Sequence, residues 1–345
     1  MLAKSICGFA FLFLVVGYFR PAPSGVGNVP QVAKPKDVSA QWKGLIGEYA
    51  SNGDTICVLE ENGRLTLLMK RLDRRIPLQE LSGNVFNVEE RTTLPDTTIV
   101  FKREGSGRAA SFVAGRATFK RLAITAEDGS IFRIKPLKPI GLLRREALRA
   151  RPPEESGSFL KADLVDVTTL DSTIKLDIRY ATKNNFMGEV LYSKAKAFLQ
   201  RSAAEALVRA DRWLEQQGYG LLIHDAYRPW YVTKMFWDAT PEDEKTFVAN
   251  PSIGSRHNRG CAVDVSLYDL NTGRPVDMVS GYDEFSHRAS PDYPGGTSLQ
   301  RWDRELLRRA MEQEGFNVYE WEWWHFDYKD WREYPIGNRA FEEIR

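Results

Sequence analysis

The sequence predicts two domains of different class, a small all-β domain over residues 42–140 and an α+β domain over residues 159–345. Two observations carry this. From Trp42 to Ile140 short β-like runs are separated by turn residues, and sustained helical periodicity begins only in the second half, at Ala195 to Gln217. In that half helices precede strands rather than alternating with them, which favours α+β over a parallel strand–helix–strand sheet. A chain of 345 residues also exceeds the roughly 100 to 200 residues of one domain.

The N-terminus carries Lys4, a largely apolar run from Ile6 to Phe19, and then Arg20-Pro-Ala-Pro-Ser-Gly. This pattern reads as a secretory signal, and the run is shorter than the ~20 residues that span a bilayer. Residues 1–23 are therefore expected to be a cleaved signal. An uncleaved membrane anchor is the alternative, because Pro21-Ala22-Pro23 offers no clean cleavage site. Either way the protein is expected to be exported, to the periplasm or another extracytoplasmic space. Residues 24–41, rich in Gly, Pro, Val and Lys without periodicity, read as a linker.

The balance of 48 Lys+Arg against 46 Asp+Glu, with 43% hydrophobic residues, is that of an ordinary globular protein and calls for no nucleic acid or other polyanionic partner. Only Cys7, Cys57 and Cys261 are present, which is no disulfide framework. Cys57 and Cys261 read as small buried hydrophobes of different domains.

Within residues 42–140, strands are expected at Thr55–Glu60, Arg64–Met69, Thr97–Arg103, Ser111–Leu122 and Ser130–Ile134. Asn62-Gly63 between the first two supplies the positive φ angles of a type I′ hairpin turn. A small antiparallel barrel or meander follows. It holds no clustered His, Cys or carboxylate set, so an accessory role is expected. The basic stretch Lys70-Arg-Leu-Asp-Arg-Arg75 is a solvated loop or a contact for anionic wall polymer. Residues 141–158, with Arg144, Arg145, Arg149, Arg151 and Pro152-Pro153, read as a charged connector.

In the second domain, Val165–Leu170, Ile174–Ile178 and Leu221–Ile223 are strand-like. Ala195–Gln217 and Leu299–Glu314 carry helical periodicity, and Thr240-Pro-Glu-Asp243 opens another helix.

The chemistry lies in Ser255-Arg-His257-Asn-Arg-Gly260-Cys-Ala-Val-Asp264 and, at a distance, Glu320-Trp-Glu322-Trp-Trp-His325. Two histidines and an aspartate form a catalytic zinc set, because Zn²⁺ takes imidazole nitrogen and carboxylate oxygen in a tetrahedron and leaves one position open. The same ligands would accept other divalent ions. Glu322, three residues before His325, is the candidate general acid and base. Residues three apart on a regular strand face opposite sides, so this segment must turn or bulge between them. Alternation with Val263 and Val265 facing a core points Asp264 into a cleft.

Ser255-x-His257-x-x-Gly260-x-Ala262-x-Asp264 and Glu322-x-x-His325 resemble the M15 zinc peptidases. Asp177-Ile-Arg-Tyr-Ala-Thr-Lys-Asn-Asn-Phe-Met-Gly188, Asp225-Ala-Tyr-Arg-Pro229 and Gly281-Tyr-Asp-Glu-Phe-Ser286 resemble their D-alanyl-D-alanine dipeptidase branch, that of the vancomycin-resistance dipeptidases. The likeness spans about Leu164 to Tyr334. It implies the fold shared by DD-peptidases and Hedgehog signalling domains, an antiparallel sheet with helices, and one zinc ion per chain on His257, Asp264 and His325. It implies Glu322 as the acid/base and Arg228 as the group that stabilises the oxyanion, a structural ion pair with Asp225 being the alternative for Arg228. It further implies Asp283 as the acid that holds the free amino group of the dipeptide, and Ser255 and Tyr180 as further substrate-binding positions. The substrate would be D-alanyl-D-alanine, met in wall-peptide turnover or removal of the dipeptide precursor.

Trp321, Trp323 and Trp324 read as wall and core, and His224 and His287 as structural. Cys261 after Gly260, and Val279 where the branch shows glycine, depart from the pattern and bear on substrate preference. Two other readings differ in kind: an M15 D,D-carboxypeptidase or peptidoglycan endopeptidase, which Asp283 argues against, and a metal-bearing binding domain without catalysis, which the presence of Glu322 and Arg228 argues against. Outside the second domain, a fold likeness joins the first to the small β-domains appended to serine β-lactamase-like enzymes, through Gly44-Leu-Ile-Gly-Glu-Tyr49, the Asn-Gly hairpin and Phe119-Lys-Arg121.

Overall fold

The computed structural model describes residues 33–344 apart from 89–93, 95–96, 106 and 125. The expected leader, Cys7 and linker residues 24–32 lie outside the described residues.

After a single helical turn, α1 (Ala40–Lys43), the first domain is a closed antiparallel barrel of eight strands in sequence order: β1 (Gly47–Ser51), β2 (Asp54–Glu61), β3 (Arg64–Met69), β4 (Arg74–Ser82), β5 (Val85–Val88), β6 (Thr98–Arg103), β7 (Ala109–Ala114) and β8 (Ala117–Arg121). Pairing of Tyr49 with Arg121 closes it. Closure removes the unpaired edges that an open meander would expose. The β2–β3 turn is the expected one, with φ of 52° at Asn62 and 77° at Gly63. Tyr49, Phe86, Phe101, Phe112 and Phe119 fill the interior, Phe112 stacking on Phe119 at 4.7 Å.

Three sequence expectations change here. The run Ser111–Leu122 is two strands, because Gly115 (φ 58°) turns the chain between them. β4 was hidden by its charged residues. Ser130–Ile134 alternates as a strand should, with Phe132 and Ile134 buried and Ile131 exposed, yet joins no strand ladder. Its Ile134 N–H donates to the Phe186 carbonyl, and Phe132 packs on Phe285 at 4.6 Å. The barrel therefore ends at Arg121, and the segment after it joins the C-terminal core.

The stretch 141–158, expected as a connector, holds most of helix α2 (Ile140–Arg149), whose Leu143 and Ala147 are fully buried in that same core. Its charges are the solvent face of an amphipathic helix rather than a linker composition.

The C-terminal domain continues with β9 (Leu164–Asp166), α3 (Val167–Leu170), β10 (Lys175–Leu176), β11 (Phe198–Gln200), α4 (Arg201–Glu215), β12 (Tyr219–Asp225), α5 (Trp230–Ala239), β13 (Ala262–Asp269), α6 (Ser298–Gln313), β14 (Phe316–Tyr319) and β15 (Glu322–Tyr328). Its five-stranded sheet has the order β10-β12-β13-β15-β14, antiparallel except for β10 against β12, and β9 pairs with β11 apart from it. The architecture is α+β. Helix α6 starts as its sequence dictates, with a Thr297–Gln300 capping box, and Gly315 follows its end at φ 87°. Thr240 does not open a helix but ends α5 as its C-cap, its hydroxyl donating back to the Phe236 carbonyl, and a 3-10 segment, Glu242–Phe247, follows. Helix α5 shows no clear period in the sequence because Trp230, Val232, Met235 and Phe236 are all buried, which leaves little polar face to set one.

Candidate active site

The site is assembled from two adjacent strands and one tight turn. Asp264 on β13 pairs directly with His325 on β15. His257 comes from a 3-10 turn, Arg256–Arg259, just before β13. That turn opens with a capping box, in which the Ser255 hydroxyl accepts from His257 N–H at 3.2 Å and Asn258 Oδ1 accepts from Ser255 N–H at 2.8 Å. It closes at Gly260 with φ 68°, where a Cβ would stand 2.5 Å from Leu164 Cδ2. Ser255 lines the cleft, but its hydrogen bonds build the turn that presents His257.

His257 Nε2, His325 Nδ1 and Asp264 Oδ1 form a triangle with sides of 3.0, 3.0 and 3.2 Å. Tetrahedral ligands on bonds of about 2.0 Å stand roughly 3.3 Å apart, so one small cation fits this buried donor set. The opposite ring nitrogens are engaged: His257 Nδ1 lies 2.7 Å from the Ala226 carbonyl, and His325 Nε2 lies 3.0 Å from Asp327 Oδ1. Such partners set the tautomer and aim the ligating nitrogen. Burial disfavours the Asp264 charge, but the two imidazoles outweigh it and hold the carboxyl well below the usual range.

The bulge expected between Glu322 and His325 is present. Val318 pairs with Phe326, but the next residue of β14, Tyr319, pairs with Glu322, so β15 carries extra residues there. Glu322 Oε2 thereby comes 3.8 Å from His325 Nδ1. Its carboxyl is pushed up to about 7, first by burial; the Asp264 charge adds to this, while His325 and Arg228 oppose it. That value suits a group that must take and return a proton near neutrality.

Arg228 follows β12 and is held by Asp225, with Nε at 2.8 Å and Nη2 at 2.7 Å from the same oxygen. Its guanidinium also lies 3.8 Å from Asp264 and over the rings of Tyr180 and Phe236. The ion pair with Asp225 is thus real, and it fixes the guanidinium at the edge of the cleft. Asp283 sits across from it at φ 57°, accepting from the Tyr180 hydroxyl at 2.9 Å. Burial, joined by the Asp264 charge, pushes the Asp283 carboxyl well above the usual range. The cleft framed by these groups encloses about 240 Å³, small for a ligand site and of dipeptide scale.

Two residues of the site, Tyr282 and Asp327, have roles that the sequence alone does not assign, whereas Asp225 is the ion-pair partner expected for Arg228. Tyr282 donates its hydroxyl to Asp264 Oδ2 at 2.8 Å. Asp327 backs His325; its place two residues on, hence on the same strand face, was the available signal. Asp225 anchors Arg228 and accepts from the Tyr192 hydroxyl at 2.7 Å. Trp323 and Trp324 are buried wall residues, Trp323 donating to Ser280 Oγ, whereas Trp321 is 60% exposed at the cleft mouth. His224 packs its ring on Tyr282, and His287 bonds Glu48 of the barrel. Cys57 and Cys261 are both free and buried.

A profile of the Peptidase_M15 family, described as D-ala-D-ala dipeptidase, matches residues 160–342. The chain is 32% identical over 174 residues to a D-alanyl-D-alanine dipeptidase of Escherichia coli (strain K12), covering 50% of this chain and 89% of that protein. It is 33% identical over 187 residues to one from Enterococcus faecium, covering 49% and 91%, and 34% identical over 192 residues to one from Streptomyces coelicolor, covering 50% and 94%. A solved LD-carboxypeptidase, LdcB, superposes with a TM-score of only 0.30 at 20% identity, over 55% of this chain and 75% of that one. Because the family match spans more than half of the chain and includes His257, Asp264, Glu322 and His325, the chain belongs to the M15 peptidases, among the D-alanyl-D-alanine dipeptidases.

Proposed function

We propose that this protein hydrolyses D-alanyl-D-alanine to two D-alanines, with one zinc ion held by His257, Asp264 and His325. The observation that supports it most is the placement of Glu322 beside a three-donor cluster, with Arg228 and Asp283 lining the same small cleft. A zinc ion held there supplies Lewis acidity and brings the pKa of water to about 7. Glu322 takes the proton of the attacking water and returns it to the leaving amine. Arg228, braced by Asp225, donates to the oxyanion that develops on the peptide carbonyl. Asp283 receives the ammonium group of the dipeptide, which offers the positive charge that this carboxyl's surroundings make it favour. Tyr180 steadies Asp283.

Export belongs to the same proposal and is supported by Lys4 and the apolar run Ile6–Phe19. So does contact with wall polymer through the barrel, supported by the exposed basic residues Lys70, Arg71 and Arg75. The reaction is tested by D-alanine release from D-alanyl-D-alanine by the purified chain with and without zinc, beside Glu322→Ala and the N-acetylated dipeptide. Zinc-dependent release from the free dipeptide alone, lost in Glu322→Ala, is expected. Hydrolysis of the acetylated or longer peptides would move the assignment to a wall carboxypeptidase, and zinc binding without hydrolysis to a binding domain.

A further inference from the structure

Two buried carboxylates of the barrel reach into the C-terminal domain. Glu48 on β1 is 1% exposed and accepts from His287 Nε2 at 2.6 Å, from Lys70 Nζ at 2.7 Å and from the Tyr293 hydroxyl at 3.1 Å. Glu60 on β2 accepts from Ser298 N–H at 2.6 Å, its own N–H donates to the Gly296 carbonyl at 3.1 Å, and its carbonyl accepts from Arg301 at 2.6 Å. Cys57, buried with Leu59 and Leu68 outside the barrel's interior cluster, brings its Sγ to 4.0 Å from the Tyr293 hydroxyl.

These ties grip the segment that follows Asp283. Asp283 lies four residues before His287, in a left-handed conformation that a non-glycine residue keeps only where its surroundings over-determine it. The C-terminal domain holds the near side of the loop, through Tyr282 on Asp264 and Phe285 on Phe132. The barrel holds the far side, at His287, Tyr293, Gly296 and Ser298. The Escherichia coli, Enterococcus faecium and Streptomyces coelicolor relatives are matched over 89 to 94% of their lengths by 174 to 192 residues, which leaves no room in those three for a barrel. Their shared fold therefore does not supply Glu48.

We propose that Glu48 is a positioning residue for substrate recognition: through His287 and Tyr293 the barrel holds the Asp283 loop, so the accessory domain completes the amine-binding side of the site in cis. This rests on the reading of Asp283 as the group that receives the substrate's amino group. The barrel is then a fixed part of the enzyme that tightens binding of a free dipeptide, whatever else it touches.

The test is steady-state kinetics of the full chain carrying Glu48→Gln, and separately His287→Ala, which alters a half-exposed side chain and leaves the barrel intact. Four quantities are read: KM and kcat for D-alanyl-D-alanine, the inhibition constant of the N-acetylated dipeptide, and zinc affinity. For both variants KM rises roughly tenfold, the scale of one hydrogen bond to a charged group, while kcat stays within about threefold. Zinc affinity and inhibition by the acetylated dipeptide, which has no ammonium group for Asp283, stay unchanged. A merely structural bond would instead lower kcat and zinc occupancy together. KM within about twofold of wild type in both variants, or a parallel loss of kcat and zinc, overturns the proposal. If the wild-type chain itself does not distinguish the free from the acetylated dipeptide, the reading of Asp283 fails and this one with it; intact discrimination with unchanged variants overturns the barrel's role alone.

Discussion

Tyr282→Phe removes one atom, the hydroxyl that lies 2.8 Å from Asp264 Oδ2 and, more distantly, 3.4 Å from the Tyr180 hydroxyl. The ring stays packed between His224 at 4.7 Å and Trp324 at 5.5 Å, so no cavity opens. While the hydroxyl occupies Oδ2, Oδ1 is left facing the two imidazoles. Asp264 is 2% exposed, and no water replaces a lost donor there at low cost. Hydrogen bonds to buried charged groups contribute about 1.5 to 3 kcal/mol, and partners of metal ligands typically about 10- to 100-fold in metal affinity. The expected outcome is a zinc dissociation constant raised by roughly 10- to 100-fold, measured by competition with a chelator of known affinity, with thermal unfolding of the chelated protein little changed. A dissociation constant within about twofold of wild type would refute the reasoning, since it would mean that strand pairing alone aims the carboxylate.

Arg228→Lys loses the fork that grips Asp225, and steady-state assays should show kcat lower by about 10²- to 10³-fold with zinc affinity retained. Glu48 is pulled down to about 2: burial opposes its charge, but the bonds from His287 and Lys70 outweigh it. Because the folded value is the lower one, this group stabilises the fold above about pH 4.3, by roughly 3 kcal/mol, and that contribution is lost as pH falls toward 2. Urea unfolding between pH 5 and 2 should show it, and Glu48→Gln should flatten the slope. Gly260→Ala places a methyl 2.5 Å from Leu164 Cδ2 at a φ of 68°, and chemical denaturation should register a loss of about 1 to 3 kcal/mol together with weaker zinc binding as the His257 turn shifts.

The sequence by itself determined what depends on local chemistry. Donor types at short fixed spacing are visible without a fold, as in His257 with Asp264 and Glu322 with His325. The need for a bulge between the last two followed from strand geometry alone and is met in β15. The Asn62-Gly63 turn and the end of α6 at Gly315 were legible because backbone sterics act within a few residues. Only the tertiary structure decided what depends on residues far apart in the chain. Closure of the barrel needs Tyr49 to meet Arg121, and the placement of 122–158 depends on where Phe132, Leu143 and Ala147 find a core. The bond of Tyr282 to Asp264 across 18 positions, and the grip of Glu48 on His287 across 239, are set by packing. A hydrogen bond between distant side chains has no period and no spacing in sequence, because the chain between its ends can be folded in many ways and only the packed core selects one.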